Sequence, residues 1–267
     1  MHPLRVGLIG FGAIGRGIAE TIRHGRAGDT RLEAVLVRDA RRVPATAADR
    51  YGFQLFEDAR PFVASGIELV VEAAGGDAVR QHGQTALEAG LDLMLASVGA
   101  LSDPDLFERL SAAARRGGRR LMIPSGAIAG LDAISAAALE EIDEVVHTTR
   151  KPPRAFSAET LGPEPLAEPR VLYSGPAREG VRRFPENVNV AAAVALAGIG
   201  LDRTQLCIVA DPGVERNTHT VKVTGYFGRL ELQIENIPSE NPKTGRLVAL
   251  SITKALRNLS ASIIVGV

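Results

Sequence analysis

A single cysteine, Cys207, occurs in 267 residues, which excludes an internal disulfide and a cysteine-based zinc site. It suits a reducing compartment, and a cytoplasmic setting is the expectation. An excess of charge is lacking too, since 31 basic residues balance 31 acidic ones. Nucleic-acid binders concentrate positive charge, as do proteins drawn to anionic lipid, so neither partner has an electrostatic argument here. Long apolar runs are also missing. Val190 to Leu201 is interrupted by glycines and closed by Asp202; it is far short of a membrane span and reads as a buried helix. The first apolar run, Leu4 to Ile9, leaves no room before it for the two regions of a signal peptide. No histidine, cysteine and carboxylate cluster has metal-ligand spacing, and neither a nucleophile elbow nor a P-loop lysine is found.

What is present is an ordinary folded composition, 45% apolar and 23% charged, in a chain long enough for one large domain or two ordinary ones. The first half alternates strand and helix. Apolar runs at Leu4–Ile9, Leu32–Val37, Glu68–Ala73, Asp92–Ala96 and Arg120–Ile123 are separated by helical stretches such as Asp77–Ala89 and Asp103–Arg115. This is the pattern of parallel βαβ units, and continuous runs such as LVVEAA fit strands covered on both faces. The second half differs. Thr218–Thr224 and Arg229–Glu235 alternate apolar with polar, and Gly225 and Gly228 predict a hairpin turn between them. The expected fold is therefore α/β: an N-terminal Rossmann-type doubly wound parallel sheet over 1–125, and a second α+β domain over 126–240. The amphipathic stretch Thr244–Leu259 predicts a helix, and 241–267 is expected to return to the first domain. Between the halves, Pro152–Pro169 holds five prolines and reads as an irregular excursion.

Gly10-Phe11-Gly12-Ala13-Ile14-Gly15 follows a predicted strand and opens a predicted helix. In that setting Gly10 permits a tight turn, Gly12 lets the backbone approach a pyrophosphate, and Gly15 lets the helix pack close to the strand. Ala13 leads into the helix expected from Ile14 to about His24, whose unpaired N–H groups and positive dipole end favour phosphate. Arg38 and Asp39 stand at the end of the next strand. A carboxylate there binds the ribose hydroxyls of NAD, whereas an arginine accepts the extra phosphate of NADP; with both side by side, both cofactors are expected to be usable.

Of the five histidines, only His147 and His219 fall in the second domain. His219 shares parity with Val221 and Val223, so it points to the apolar side of its strand, as a hydrogen-bonded core residue or as a cleft residue. His147 shares parity with Val145 and is the reserve candidate. Asn187 reads as a helix cap, and Asn189 lies in the first turn. Lys151 and Arg154, just after a strand, and the Ser125–Gly130 loop are candidates for holding a substrate carboxylate, with no single choice favoured over ordinary surface charge.

Pro124-Ser125-Gly126-Ala127-Ile128-Ala129-Gly130, Phe184-Pro185-Glu186-Asn187-Val188-Asn189-Val190, Asp211-Pro212, Asn217-Thr218-His219 and Asn241-Pro242-Lys243-Thr244 together resemble, in order, the motifs of L-aspartate dehydrogenases. The resemblance spans nearly the whole chain. It implies NAD(P)-dependent oxidation of L-aspartate to iminoaspartate, which hydrolyses to oxaloacetate and ammonia or feeds NAD biosynthesis. It also implies a homodimer, a catalytic role for His219, and cofactor contacts at Ala127 and Asn189. An imidazole suits a base for the amine or for the attacking water, since its ordinary pKa lies near working pH. Two alternatives stand beside this reading. One is a related oxidoreductase, dihydrodipicolinate-reductase-like or homoserine-dehydrogenase-like, and the other is a regulatory protein that binds nicotinamide without turnover.

Overall fold

The computed structural model describes residues 2–162, 164–185, 188–238 and 245–266. Asn187, with its expected cap, and the Asn241–Thr244 motif lie outside them. The chain divides into two compact units, Met1–Gly126 with Leu247–Val267, and Ala127–Arg246.

In the first unit, β1 (Leu4–Ile9) leads into α1 (Ala13–Arg23), and then come β2 (Thr30–Leu36), α2 (Ala47–Tyr51), β3 (Gln54–Phe56) and α3 (Ala59–Val63). The alternation continues through β4 (Leu69–Glu72), α4 (Gly76–Glu88), β5 (Asp92–Leu95), α5 (Pro104–Gly117) and β6 (Leu121–Met122). The six strands form one sheet in the order β3-β2-β1-β4-β5-β6, and every pairing is parallel. This is the doubly wound Rossmann arrangement that the alternating pattern predicts. Local chemistry sets its boundaries. Asp103 caps α5 by accepting from the amides of Asp105 and Leu106, Pro104 takes the first turn, and left-handed Gly118 ends the helix. Helix α1 buries Gly15, Ile18 and Ala19, the spacing of one helical face, against a core holding Val6, Leu8 and Val35.

The second unit contains α6 (Leu131–Ala137), β7 (Ile142–Lys151), α7 (Ala158–Leu161), β8 (Arg170–Pro176), α8 (Ala177–Arg183) and α9 (Val188–Ala197). Strands β9 (Gln205–Ala210), β10 (Asn217–Gly225) and β11 (Gly228–Asn236) complete it. Its sheet runs β11-β10-β7-β9-β8, antiparallel except for β7 with β9. The expected hairpin is the β10–β11 pair, closed at Gly225 and Gly228. Val145, Val221 and Val223 pack on one sheet face with Ile134 and Val194 of α6 and α9, while Lys222 and Glu231 pair at 3.2 Å on the opposite, exposed face. Helix α9 buries five consecutive residues, Ala191 to Ala195, as a helix enclosed on most sides does. The chain then returns to the first unit as α10 (Leu247–Asn258), which buries Ile252 and Leu256 in that core and meets α1 through a Thr21–Thr253 hydroxyl pair at 2.7 Å.

Candidate active site

The C-terminal ends of four strands lie in one row, with Leu36, Ile9, Glu72 and Leu95 in register across β2, β1, β4 and β5. The glycine turn leaves this row from Ile9. Gly10 has φ +96, a left-handed backbone that strains any other residue, and a Cβ there would lie 2.7 Å from Ala74 Cβ. A Cβ on Gly15 would run into the carbonyl of Gly10, whereas one on Gly12 would meet nothing within 4 Å. The turn is thus closed toward the protein and open at Gly12, where Ala13 and Ile14 begin α1 and no side chain among the described residues caps its amides. That is what a pyrophosphate needs, and the residues present fit a dinucleotide.

Beyond β2 the expected pair sits beside the turn. Strand β2 ends at Leu36, and Asp39 instead caps a short 3-10 turn. Arg41 grips its carboxylate through Nε at 2.8 Å and Nη2 at 3.1 Å, and this pairing holds its pKa below the ordinary value. Arg38 is exposed.

Glu72 is a residue that reading LVVEAA as an apolar run overlooks. It is fully buried, and its carboxylate accepts from the amides of Ala74 and Gly75 at 2.7 Å each. It also accepts from the amide and the hydroxyl of Ser97, at 3.0 Å each. One carboxylate therefore ties the turns that follow β4 and β5. Burial raises its pKa and these bonds oppose the rise. A charged residue inside an otherwise apolar strand is the signal that could have found it.

In the second unit β7 alternates sharply. Val145, His147, Thr149 and Lys151 are buried, while the residues between them are only half-buried. Lys151 is the last residue of β7 rather than beyond it, and only 6% exposed, so of its two readings, carboxylate ligand and surface charge, the second falls. Arg154 is exposed and donates to the Glu215 carbonyl at 2.6 Å. His219 faces Thr149 across the β10–β7 register, and His147 faces Val221, so the two histidines are diagonal neighbours on one buried face. Their ring centroids lie 5.4 Å apart with the planes inclined at 28°, and His147 Nε2 is 3.2 Å from His219 Nδ1. His147 is the hydrogen-bond partner of His219 rather than its substitute. Burial, and then the charge of Lys151, lowers the His219 pKa to about 4, well away from the near-neutral value expected of a free imidazole. Burial, and then His219, drives His147 down as well.

Ala127 is brought toward this end of the sheet. Its carbonyl accepts from the Asn236 side chain at 3.0 Å, and Asn236 pairs with Asn217, two residues before His219 on β10. Asn189 is exposed in the first turn of α9. Among the described residues, no group of three histidine, cysteine or carboxylate side chains is arranged to hold a metal ion, and no helix is long and apolar enough to cross a membrane.

Comparison with known proteins joins the two halves. Residues 10–124 match a family profile described as homoserine dehydrogenase, NAD binding domain, and residues 132–259 match one described as aspartate dehydrogenase, C-terminal. L-aspartate dehydrogenase 2 of Bordetella bronchiseptica is 43% identical over 267 residues, covering 98% of this chain and 99% of that protein. The L-aspartate dehydrogenase of Ralstonia pickettii is 42% identical over 267 residues, covering 96% and 97%. Among solved structures, the aspartate dehydrogenase of Thermotoga maritima has a TM-score of 0.82 and 29% identity, covering 99% of this chain and 100% of that one. A homoserine dehydrogenase from Thiobacillus denitrificans has a TM-score of 0.62 at 16% identity, covering 98% and 75%, a likeness of fold alone. The nucleotide-binding fold is thus shared widely, and the second unit together with the full-length identity decides the matter: this chain belongs to the L-aspartate dehydrogenase family.

Proposed function

We propose that the protein oxidises L-aspartate to iminoaspartate with NAD or NADP, the imine then hydrolysing to oxaloacetate and ammonia. The observation that carries this reading is the buried polar row of Lys151, Thr149, His147 and His219 on a face otherwise lined by valine, leucine and isoleucine, in a chain of this family. Buried polar groups are costly unless hydrogen-bonded, and here His147 Nδ1 and the Thr149 hydroxyl have no partner among the described residues. When bound, the nicotinamide supplies the acceptor for the hydride from the substrate's α-carbon. Gly10, Gly12, Ala13, Ile14 and Gly15 hold the pyrophosphate on backbone amides. Asp39 and Arg38 meet the adenosine ribose or its phosphate. Asn189 contacts the cofactor through its amide. Ala127 contributes a backbone contact, its carbonyl being held in place by the Asn236 side chain.

His219 is the catalytic residue of this reading, the group that exchanges a proton or a hydrogen bond with the substrate. Its low pKa keeps it uncharged at neutral pH. A homodimeric state, a cytoplasmic setting and a supply of iminoaspartate to NAD biosynthesis belong to the same proposal and are supported by the family resemblance. The test is an absorbance assay of NAD(P)H across a panel of amino acids, and of 2-oxo acids with ammonia. Turnover with aspartate and with oxaloacetate plus ammonia is expected; turnover of homoserine in place of aspartate would refute the assignment.

A further inference from the structure

Two histidines on neighbouring strands share one hydrogen bond, and the surroundings of the deeper ring decide which of them donates. His147 is fully buried. Its Nε2 faces His219 Nδ1 at 3.2 Å, and its Nδ1 has no hydrogen-bond partner among the described residues. Burial keeps both rings neutral, so each carries one proton, on one nitrogen or the other. Suppose His219 donates from Nδ1. Then His147 accepts at Nε2, and its own proton sits on Nδ1 as a buried N–H with nothing to bond. Suppose instead that His147 donates from Nε2. Then only a bare lone pair is left at Nδ1. Among backbone groups, buried N–H donors without partners are rarer than under-satisfied acceptors, and by the same preference the second arrangement is the less costly one.

We propose that His147 is a positioning residue that holds His219 in the tautomer with its proton on Nε2, so that His219 meets the substrate as a hydrogen-bond donor to a carboxylate and not as a ready base. The rest of the face agrees with an anionic ligand. Lys151, on the same buried face of β7, is close enough for its charge to act on His219. Thr149, opposite His219 in the register, adds a hydroxyl that is buried without a partner among the described residues. On the other side of β10, His219 is opposed by apolar Ile234 of β11. An uncharged N–H beside a buried ammonium favours a carboxylate oxygen, since charge-assisted hydrogen bonds are the stronger ones. The inference deepens the aspartate reading and rests on it for the identity of the ligand, a dicarboxylate.

Two measurements test it. The first uses full-length protein labelled with ¹⁵N at histidine, at pH 7 and without substrate, with ring shifts assigned by comparison with a His219→Asn variant. The expected result is a protonated Nε2 and a bare Nδ1 on His219. A proton found on His219 Nδ1 overturns the proposal. The second measures succinate binding by calorimetry with saturating NAD; succinate keeps both carboxylates of aspartate and lacks its amine. His147→Leu should weaken succinate about tenfold or more, whereas His147→Gln, whose amide nitrogen can replace Nε2 as the donor, should stay within about threefold. Equal affinities in the two variants would overturn the role of the donated hydrogen bond. The tautomer measurement uses no substrate, so it stands or falls separately from the assay of aspartate turnover.

Discussion

Arg38 and Asp39 are adjacent in the chain, yet their surroundings differ. Asp39 is engaged by Arg41, whereas Arg38 is exposed. If Arg38 reads the extra phosphate, Arg38→Ala raises the Michaelis constant for NADP by about tenfold or more, the worth of one charge-assisted hydrogen bond, and barely alters that for NAD. Equal changes for the two cofactors would remove it from that role. His219 carries the second prediction at this scale. His219→Ala should lower kcat/KM by at least about 100-fold, within the range for acid–base groups and preorganised donors, while the Kd for NAD changes little. With its pKa lowered to about 4, His219 remains neutral from pH 8 down to about 5. The pH profile of kcat/KM should therefore show no limb near 6.5 belonging to this residue. Such a limb, present in wild type and lost in the variant, would contradict the assigned environment.

At the scale of elements, β7 organises the second unit. Strand alternation places His147, Thr149 and Lys151 on one face, and Arg150 on the other, where it pairs with Asp211 at 3.0 Å. Glu72 does the comparable task in the first unit, holding the turns after β4 and β5 with one carboxylate. Helix α9 supplies Asn189 from its first turn, and there the two readings of an asparagine separate. If it contacts cofactor, Asn189→Ala raises the Michaelis constant for NAD by several-fold with little loss of stability. If its contribution is to the helix start, unfolding in urea shows a loss of about 1 kcal/mol and the kinetics stay as they were. Both quantities are to be read on one preparation of the variant.

At the scale of the whole molecule, α10 is distant in sequence from the unit it completes. The chain leaves the first unit after Gly126 and returns at Leu247, and Ile252 and Leu256 are fully buried among its core residues. Ile252→Ala should therefore cost about 2–5 kcal/mol, measured by denaturant unfolding, and the loss should reduce the population able to bind NAD. A loss below about 1 kcal/mol would show that α10 is dispensable to that core. Acid should act through the other unit. His147 and His219 both have folded pKa values below the ordinary 6.5, so the unfolded chain binds more protons than the folded one in that window. For His219 this contribution is complete above pH 6.5 and is lost as pH falls through about 4, about 3 kcal/mol in all, and His147 loses its own in the same direction. Melting curves at pH 7 and pH 5 should show the larger part of this loss, about 2 kcal/mol from His219, and a smaller loss in His219→Gln. An identical loss in the variant would mean that the carboxylates carry the acid sensitivity.

Much of this protein could be read from short stretches of sequence. The glycine turn, the apolar strands before it and after it, the β10–β11 hairpin and the inward parity of His219 all follow from spacings of two to four residues. Over such distances backbone dihedrals and strand or helix period alone determine which face a side chain takes. The order of the family's motifs added the activity. Tertiary structure decided the rest. His147 and His219 are 72 residues apart, and no local pattern tells that one is bonded to the other. Their meeting depends on the register of β7 against β10, which is set by the whole sheet. Lys151 reads as a carboxylate ligand or as a surface charge until β7 is seen to extend through it and bury it. Glu72 reads as part of an apolar strand until the turns after β4 and β5 close on its carboxylate. In each case the sequence specifies the direction of a side chain, but its pKa, its partner and its use depend on what the fold packs against it.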